Sequence, residues 1–389
     1  MMRLEYQILS AVVLDLALGD PRWLPHPVRG IGCLATWLER LVRRGDREIE
    51  ASTPDELKPE AQARNVRGGC ERCGDGTDVR SDHSVAPRDS LPDSSLARRA
   101  STQVAAQRVD VRLRLAGLVV ALTVYGLTGL AAWGAIRLAA LVHPIGADLV
   151  SIVIIYTAIA PRDLARHSMA VFRALTAGDL VEARRRVAMI VGRDTDRLDE
   201  PEVVRAAVES VAESTVDGVT APLVFAVVAG PVGAIVYRAI NTLDSMFGHR
   251  DARYRDFGWA AARIDDLANW LPARLTAPLV CLAALIAWQR PCRALRVLVR
   301  DGRRHESPNA GLSEAAMAGA LGVRLGGRCE YDGEPIERPT MGDPLTALAP
   351  RHIRTANVLM WLTAGLLLAV LLPLRAAVLQ SCPLWRAIP

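Results

Sequence analysis

Residues 115–136, LAGLVVALTVYGLTGLAAWGAI, carry no charge and are long enough to cross a hydrocarbon layer of ~30 Å as one helix. A second such run, 356–374, is flanked by Arg354 and Arg375. A third, 149–160, follows the turn-like His143-Pro144-Ile145-Gly146, so the spacing predicts a hairpin of two membrane helices. A backbone crossing lipid must satisfy its polar groups internally, which leaves helices as the economical solution. The expected fold is all-α: a polytopic α-helical integral membrane protein, one membrane-embedded domain over 1–389, with cytosolic helical loops carrying the active site. A mean hydropathy of +0.18 agrees, because a soluble chain with so polar a first third would average below zero.

Three weaker apolar runs complicate the topology. Residues 6–18 form a short N-terminal helix interrupted by Asp15, and no A-x-A-like cleavage site follows it. Residues 219–240 are split by Gly230-Pro231, and 275–288 are too short to span. The arginine-rich stretches 161–218 and 289–304 read as cytoplasmic. If every polar cluster is to reach one side, 219–240 must be re-entrant or a broken helix ending in a cavity, and 275–288 a buried or partial helix. Labelling of a cysteine at position 250 only from the periplasmic face would overturn that expectation.

Between about 43 and 110 the chain is rich in Arg, Asp, Glu, Ser, Pro and Gly and has no helical or strand period, so 45–108 is expected to be a disordered, dispensable polar insertion. It contains Cys70-x-x-Cys73 and His83, too sparse a set for a zinc site. The seven cysteines are scattered and do not form a disulfide framework. A net charge of +5 is too mild and dispersed for nucleic-acid binding. Lys58 is the only lysine, which excludes a Walker A motif and leaves none outside the insertion for a pyridoxal Schiff base. Any phosphate bound here is held by arginine, backbone or metal.

Four polar clusters carry candidate chemistry. The first is Asp15, Asp20, His26 and Arg29 within a proline-stiffened segment, a pattern equally compatible with a helix-ending turn. The second begins with Arg193 and Asp194. Asp199 and Glu202 then form a capping-box pattern around Pro201, and Glu209, Glu213 and Asp217 follow at intervals of four. Three carboxylates on one helical stripe repel unless a cation or arginine lies between them, which points to Mg2+ or an ordered arginine partner.

The third cluster is densest: Arg238, Asn241 and Asp244, then His249, Arg253 and Arg255, then Arg263, Asp265, Asp266 and Asn269. Oxygen ligands interleaved with guanidinium groups suit a magnesium-bound polyphosphate, with salt bridges at the membrane edge as the plainer reading. The fourth is His305-Glu306-Ser307-Pro308-Asn309, followed by a helix of small residues and by Leu325-Gly326-Gly327. Glycine and alanine at that density permit close approach of another helix or a flat ligand.

The segments LDLALGDPRWLPHPVRGIG (14–32), IVGRDTDRL (190–198), VESVAESTVDGVTAPL (208–223), YRAINTLDSMFGHRDARYRDFGWAAARIDDLANWLPARL (237–275) and HESPNAGLSEAAMAGALGVRLGG (305–327) resemble, in order and spacing, the adenosylcobinamide-phosphate synthase family of cobalamin biosynthesis, CbiB/CobD type. One departure is Ser214 where the family usually has asparagine. The resemblance implies an ATP- and Mg2+-dependent ligase of the cell membrane, with cytoplasmic active-site loops. It would join adenosylcobyric acid to (R)-1-aminopropan-2-ol phosphate, and the family setting allows a complex with other membrane proteins of the pathway.

On that reading Asp244, Asp265, Asp266 and Glu213 are catalytic. Substrate and phosphate are held by Asp20, His26, Arg29, Arg193, Asp194, Arg238, Asn241, Arg263, Asn269, His305, Ser307 and Asn309. Glu209, Glu213, Asp217, Asp244 and Asp265 are the metal candidates. Two other classes fit parts of the pattern: a Mg2+-dependent membrane prenyltransferase, which does not account for His26, Arg29 or 305–309, and a non-enzymatic membrane sensor, which has no need of the polar clusters.

Overall fold

The computed structural model describes residues 2–19, 26–52, 109–248, 253–331 and 333–381. Asp20, His249, Cys70, Cys73 and His83 lie outside them, as does most of 45–108. The chain divides into a main unit, Met1–Arg40 with Arg112–Pro389, and a second, Leu41–Val111. The helix that starts at Pro27 continues to Ser52, past the point where the sequence predicts the insertion to begin.

Helices α1 (Leu4–Leu18), α2 (Pro27–Ser52), α3 (Val111–Val142), α4 (Pro144–Ala158), α5 (Pro161–Thr176), α6 (Leu180–Val187) and α7 (Glu200–Ser214) come first. A π-helical turn at Thr215–Thr220 leads into α8 (Ala221–Phe247), followed by α9 (Trp259–Ala268), α10 (Trp270–Ile286), α11 (Pro291–Asp301), α12 (Ala310–Leu321) and α13 (Arg351–Ser381). Proline and caps set several starts. His143 accepts the Ile145 N–H just ahead of Pro144. Asp199 and Glu202 form the reciprocal capping box expected from the sequence.

Among the described residues, Val111–Val142, Pro144–Thr176, Glu200–Phe247 and Arg351–Ser381 are long and apolar enough to cross a membrane, and α9 with α10, bent by 48°, makes a fifth only if counted as one span. α3 turns Leu115, Val119, Leu122, Leu130 and Leu138 outward, all more than half exposed, as a lipid-facing helix does. α8 is broken where the sequence splits it: Gly230 has φ 68° and ψ −160°, a conformation open to glycine, and Pro231 follows. The short apolar run 275–288 forms most of α10, of 17 residues.

The core is made largely of small residues. Val203, Val204, Ala206, Ala207, Val211 and Ala212 of α7 pack with Ala283, Ala284, Ala316, Ala320, Ala356 and Leu359. Close helix approach is required: a Cβ on Gly319 would lie 2.7 Å from the Ala294 backbone. Of the two uses foreseen for the glycine-rich 319–327 stretch, helix packing is therefore realised at Gly319.

One element departs from the all-helical expectation. β1 (Leu325–Tyr331) and β2 (Glu334–Met341) form an antiparallel hairpin with an irregularity between Leu325 and Gly327. Gly326 and Gly327, at φ 79° and 89°, create that bulge, and a Cβ on Gly326 would strike the Pro339 carbonyl.

Candidate active site: an acidic cavity beside a basic one

The π-helical turn breaks up the carboxylate stripe read from the sequence. Its wider winding, marked by the Ala221 N–H donating to the Val216 carbonyl five residues back, brings Asp217 out of simple succession with Glu209. Glu213 and Asp217 line a cavity of ≈ 460 Å³ with Asp244 from α8 and with Asp265, Asp266 and Asn269 around α9. Arg114, Arg255 and Arg263 border it, and His305, Glu306, Ser307 and Asn309 close one side. Most of the third and fourth sequence clusters thus meet at one place.

The polar residues of this cavity hold one another in register. Asn269 donates to Asp265 Oδ2 at 2.9 Å and accepts from the buried Tyr237 hydroxyl at 2.8 Å. Asn309 donates to the Asp266 carbonyl at 2.7 Å and accepts from Arg274 at 3.1 Å. The Ser307 hydroxyl accepts the Asn309 N–H at 3.3 Å, and His305 Nδ1 accepts the Ser307 N–H at 3.0 Å. Asn269 and Asn309, expected as ligand contacts, are engaged in positioning the acidic residues. Arg263 pairs with Asp266 at 3.6 Å.

Asp265 is 8% exposed, and its Oδ1 accepts no well-formed hydrogen bond, although the Asn241 amide is near enough to act on it. The charge of Asp244 acts on it from close by. No three acidic, His or Cys side chains among the described residues converge as a closed metal cage. Mg2+ shared with a polyphosphate needs only one or two carboxylates, and a pair of mutually repelling aspartates with one oxygen lacking a hydrogen-bond partner fits that requirement.

Glu209 and Arg193 stand apart from the cavity. They form a buried ion pair, and Glu209 Oε1 also accepts the Gly326 N–H at 2.7 Å, so the hairpin and the α6–α7 loop occupy both carboxylate oxygens. Glu209 is thus not arranged as a metal ligand, nor Arg193 as a substrate contact. Asp194 ties the hairpin down as well, accepting the Gly333 N–H at 2.7 Å.

Between this pair and the cavity lie two residues that the sequence reading missed, Glu314 and Arg338. Glu314 is 1% exposed, with Oε1 at 3.8 Å from His305 Nε2 and 3.9 Å from Arg338. Burial, reinforced by the charges of Glu209 and Glu213, raises its carboxyl well above the usual range. Arg338 also meets His305 Nε2 at 2.5 Å. Burial and then the Arg338 charge lower the His305 imidazole below its ordinary range, keeping it neutral at pH 7. A lone charge in the Ala- and Gly-rich helix 310–321 was the available signal for Glu314; Arg338 offered none, because nothing in the sequence announced the hairpin.

His26, Arg29 and Arg238 line a second cavity, of ≈ 370 Å³, together with Asp15, Asp163, Arg166 and His167. The two cavities are linked at one backbone contact. The Ala160 N–H, from the basic cavity, donates to the Gly218 carbonyl at 2.9 Å, next to Asp217 of the acidic one. The charge of Arg238 acts on Asp217.

Fold and site together define a polytopic α-helical membrane protein whose polar chemistry is concentrated in adjoining acidic and basic cavities. No solved structure matches it. The chain belongs to the CobD/Cbib protein family, whose pattern matches residues 94–360. It is 44% identical over 341 residues to a cobalamin biosynthesis protein CobD of Geobacter metallireducens, covering 88% of this chain and 87% of that one. It is 40% identical over 365 residues to CobD of Klebsiella pneumoniae and 37% identical over 365 residues to CbiB of Salmonella typhi, each covering 94% of this chain and 95% of the relative.

Proposed function

We propose that this chain is an ATP- and Mg2+-dependent ligase of cobalamin biosynthesis. It joins the propionate carboxylate of adenosylcobyric acid to the amine of (R)-1-aminopropan-2-ol phosphate, giving adenosylcobinamide phosphate. The observation that carries this reading is the Asp244–Asp265 pair, with one buried Asp265 oxygen lacking a hydrogen-bond partner at a cavity bordered by three arginines. A carboxylate is a poor electrophile until it is phosphorylated, and phosphoryl transfer asks for cationic clamps rather than a protein nucleophile.

A substrate carboxylate oxygen attacks the γ-phosphorus of ATP, and ADP leaves. The amine nitrogen then attacks the acyl carbon of the resulting acyl phosphate, inorganic phosphate leaves, and the nitrogen loses a proton. Asp244 and Asp265 are the residues that would hold Mg2+, which when bound offsets charge on the phosphate oxygens. Arg114, Arg255 and Arg263 bind the phosphates, Asn269 orients Asp265, and Glu213, open to the cavity, accepts the amine proton. The reaction takes place at the cytoplasmic face of the cell membrane, where ATP is available.

The test is direct. The purified full chain in detergent, given ATP, Mg2+, adenosylcobyric acid and the amino-alcohol phosphate, releases one ADP per amide formed. Amide formation without ATP, or none with it, overturns the reading.

A further inference from the structure

The basic cavity differs from its neighbour in charge, in architecture and in what it can bind. It presents Arg29, Arg166 and Arg238, with His26 and His167 beside them, against only two carboxylates, Asp15 and Asp163. The acidic cavity presents six carboxylates against three arginines. A metal-bound nucleotide suits the acidic cavity; a free anion suits the basic one.

Two helix N-termini reinforce the preference. α2 starts at Pro27 and α5 at Pro161, and His26, Val28, Arg29, Ala160 and Asp163 from those two starts all line this cavity. Each amino end adds a partial positive charge where an anion would lie. The carboxylates are positioned as well. Asp163 accepts from Arg166 at 2.6 Å and lies 3.6 Å from His167, while Asp15, 3% exposed, accepts the Arg162 N–H at 3.2 Å. A cavity with clustered guanidinium groups and two fixed carboxylates matches a small zwitterion better than a plain anion.

We propose that this basic cavity is the site of the amino-alcohol phosphate, with the phosphate monoester held by Arg29, Arg166 and Arg238 and the ammonium group matched by Asp15 and Asp163. The assignment rests on the ligase reading and adds Asp163, Arg166 and His167 to the residues singled out from the sequence. Its place next to the acidic cavity, joined to it at the Ala160–Gly218 hydrogen bond, also sets the amino-alcohol phosphate beside the cavity in which the carboxylate is activated.

Calorimetry on the full chain in detergent, with O-phosphoethanolamine, inorganic phosphate and ethanolamine as separate probes, tests it. O-phosphoethanolamine binds at least ~10-fold more tightly than either fragment, because both charges are engaged. Arg29→Ala and Arg166→Ala each weaken it by at least ~10-fold and leave Mg·ATP affinity within about twofold; Arg29→Lys and Arg166→Lys recover part of the loss. The Arg166 side chain is 52% exposed, so its truncation should leave the melting temperature unchanged. Both alanine variants binding O-phosphoethanolamine as the unaltered chain does would overturn the assignment.

Steady-state kinetics separate this from the broader reading. If amide forms and the KM for the amino-alcohol phosphate is unchanged in both alanine variants, the site assignment falls and the ligase stands. If arginine-dependent binding is found but no amide forms, the ligase falls and the binding site stands.

Discussion

Glu209 and Asp265 are both buried carboxylates, yet the protein treats them differently. Glu209, 2% exposed, has one oxygen paired with Arg193 and the other taken by the Gly326 N–H. Asp265, 8% exposed, has one oxygen fixed by Asn269 and the other buried without a hydrogen-bond partner, beside a cavity in which Asp244 adds a like charge. A saturated buried charge acts as a joint that fastens the hairpin to α7. An unsaturated one beside a like charge is a standing cost, retained where a ligand removes it.

The contrast predicts opposite phenotypes. The largest effect is expected at the joint: Arg193→Met leaves Glu209 buried without its cation and should cost about 3–5 kcal/mol of stability, read by thermal or denaturant unfolding. Unchanged stability would show that Glu209 is no more saturated than Asp265. At the cavity the order reverses. Asp265→Asn and Asp244→Asn should each lower turnover by at least ~100-fold, roughly 2.7 kcal/mol of transition-state stabilisation, with the melting temperature held or raised because a repulsion is removed. Near-normal turnover in both would erase the functional half of the comparison.

His305 sits between the two regions and gives a smaller, pH-dependent effect. Its folded-state pKa is depressed by burial and by Arg338, so below the unfolded pKa of ~6.5 the unfolded chain binds the proton more readily. The stability held by neutral His305 is thus present above that pH and lost as the pH falls through it. Melting temperatures measured from pH 7.5 to 5.5 should fall more steeply for the unaltered chain than for His305→Asn; parallel curves would show that the imidazole is not desolvated. The smallest effect is expected where neither region is touched. Replacing 53–108 by a short Gly/Ser linker should leave turnover within about twofold in the amide-forming assay.

Much of this arrangement was legible from composition and spacing. Uncharged runs located α3, α4 and α13, because hydrocarbon tolerates little else over that length. Gly230-Pro231 announced the break in α8 by removing both a side chain and a backbone donor. The capping box at Asp199 and Glu202 is local, so the sequence alone could state it. The membership of the acidic cavity was partly readable too, since Asp244, Asp265, Asp266 and Asn269 crowd a short stretch of chain.

Determined by the sequence itself were the membrane-spanning character, the helix breaks and the reliance on arginine and carboxylate chemistry in a chain with a single lysine. Each follows from local composition, which no distant contact can change. Only the tertiary structure decided which carboxylates are spent. Glu209, Glu213 and Asp217 look alike at intervals of four. A π-turn and a hairpin more than a hundred residues away saturate Glu209 and leave the other two lining a cavity. The division of the polar residues into an acidic and a basic cavity was likewise invisible, because Asp15, Arg29, Arg166 and Arg238 meet only when α1, α2, α5 and α8 pack. What a buried charge does depends on which donors reach it through space, and that is a property of packing rather than of spacing along the chain.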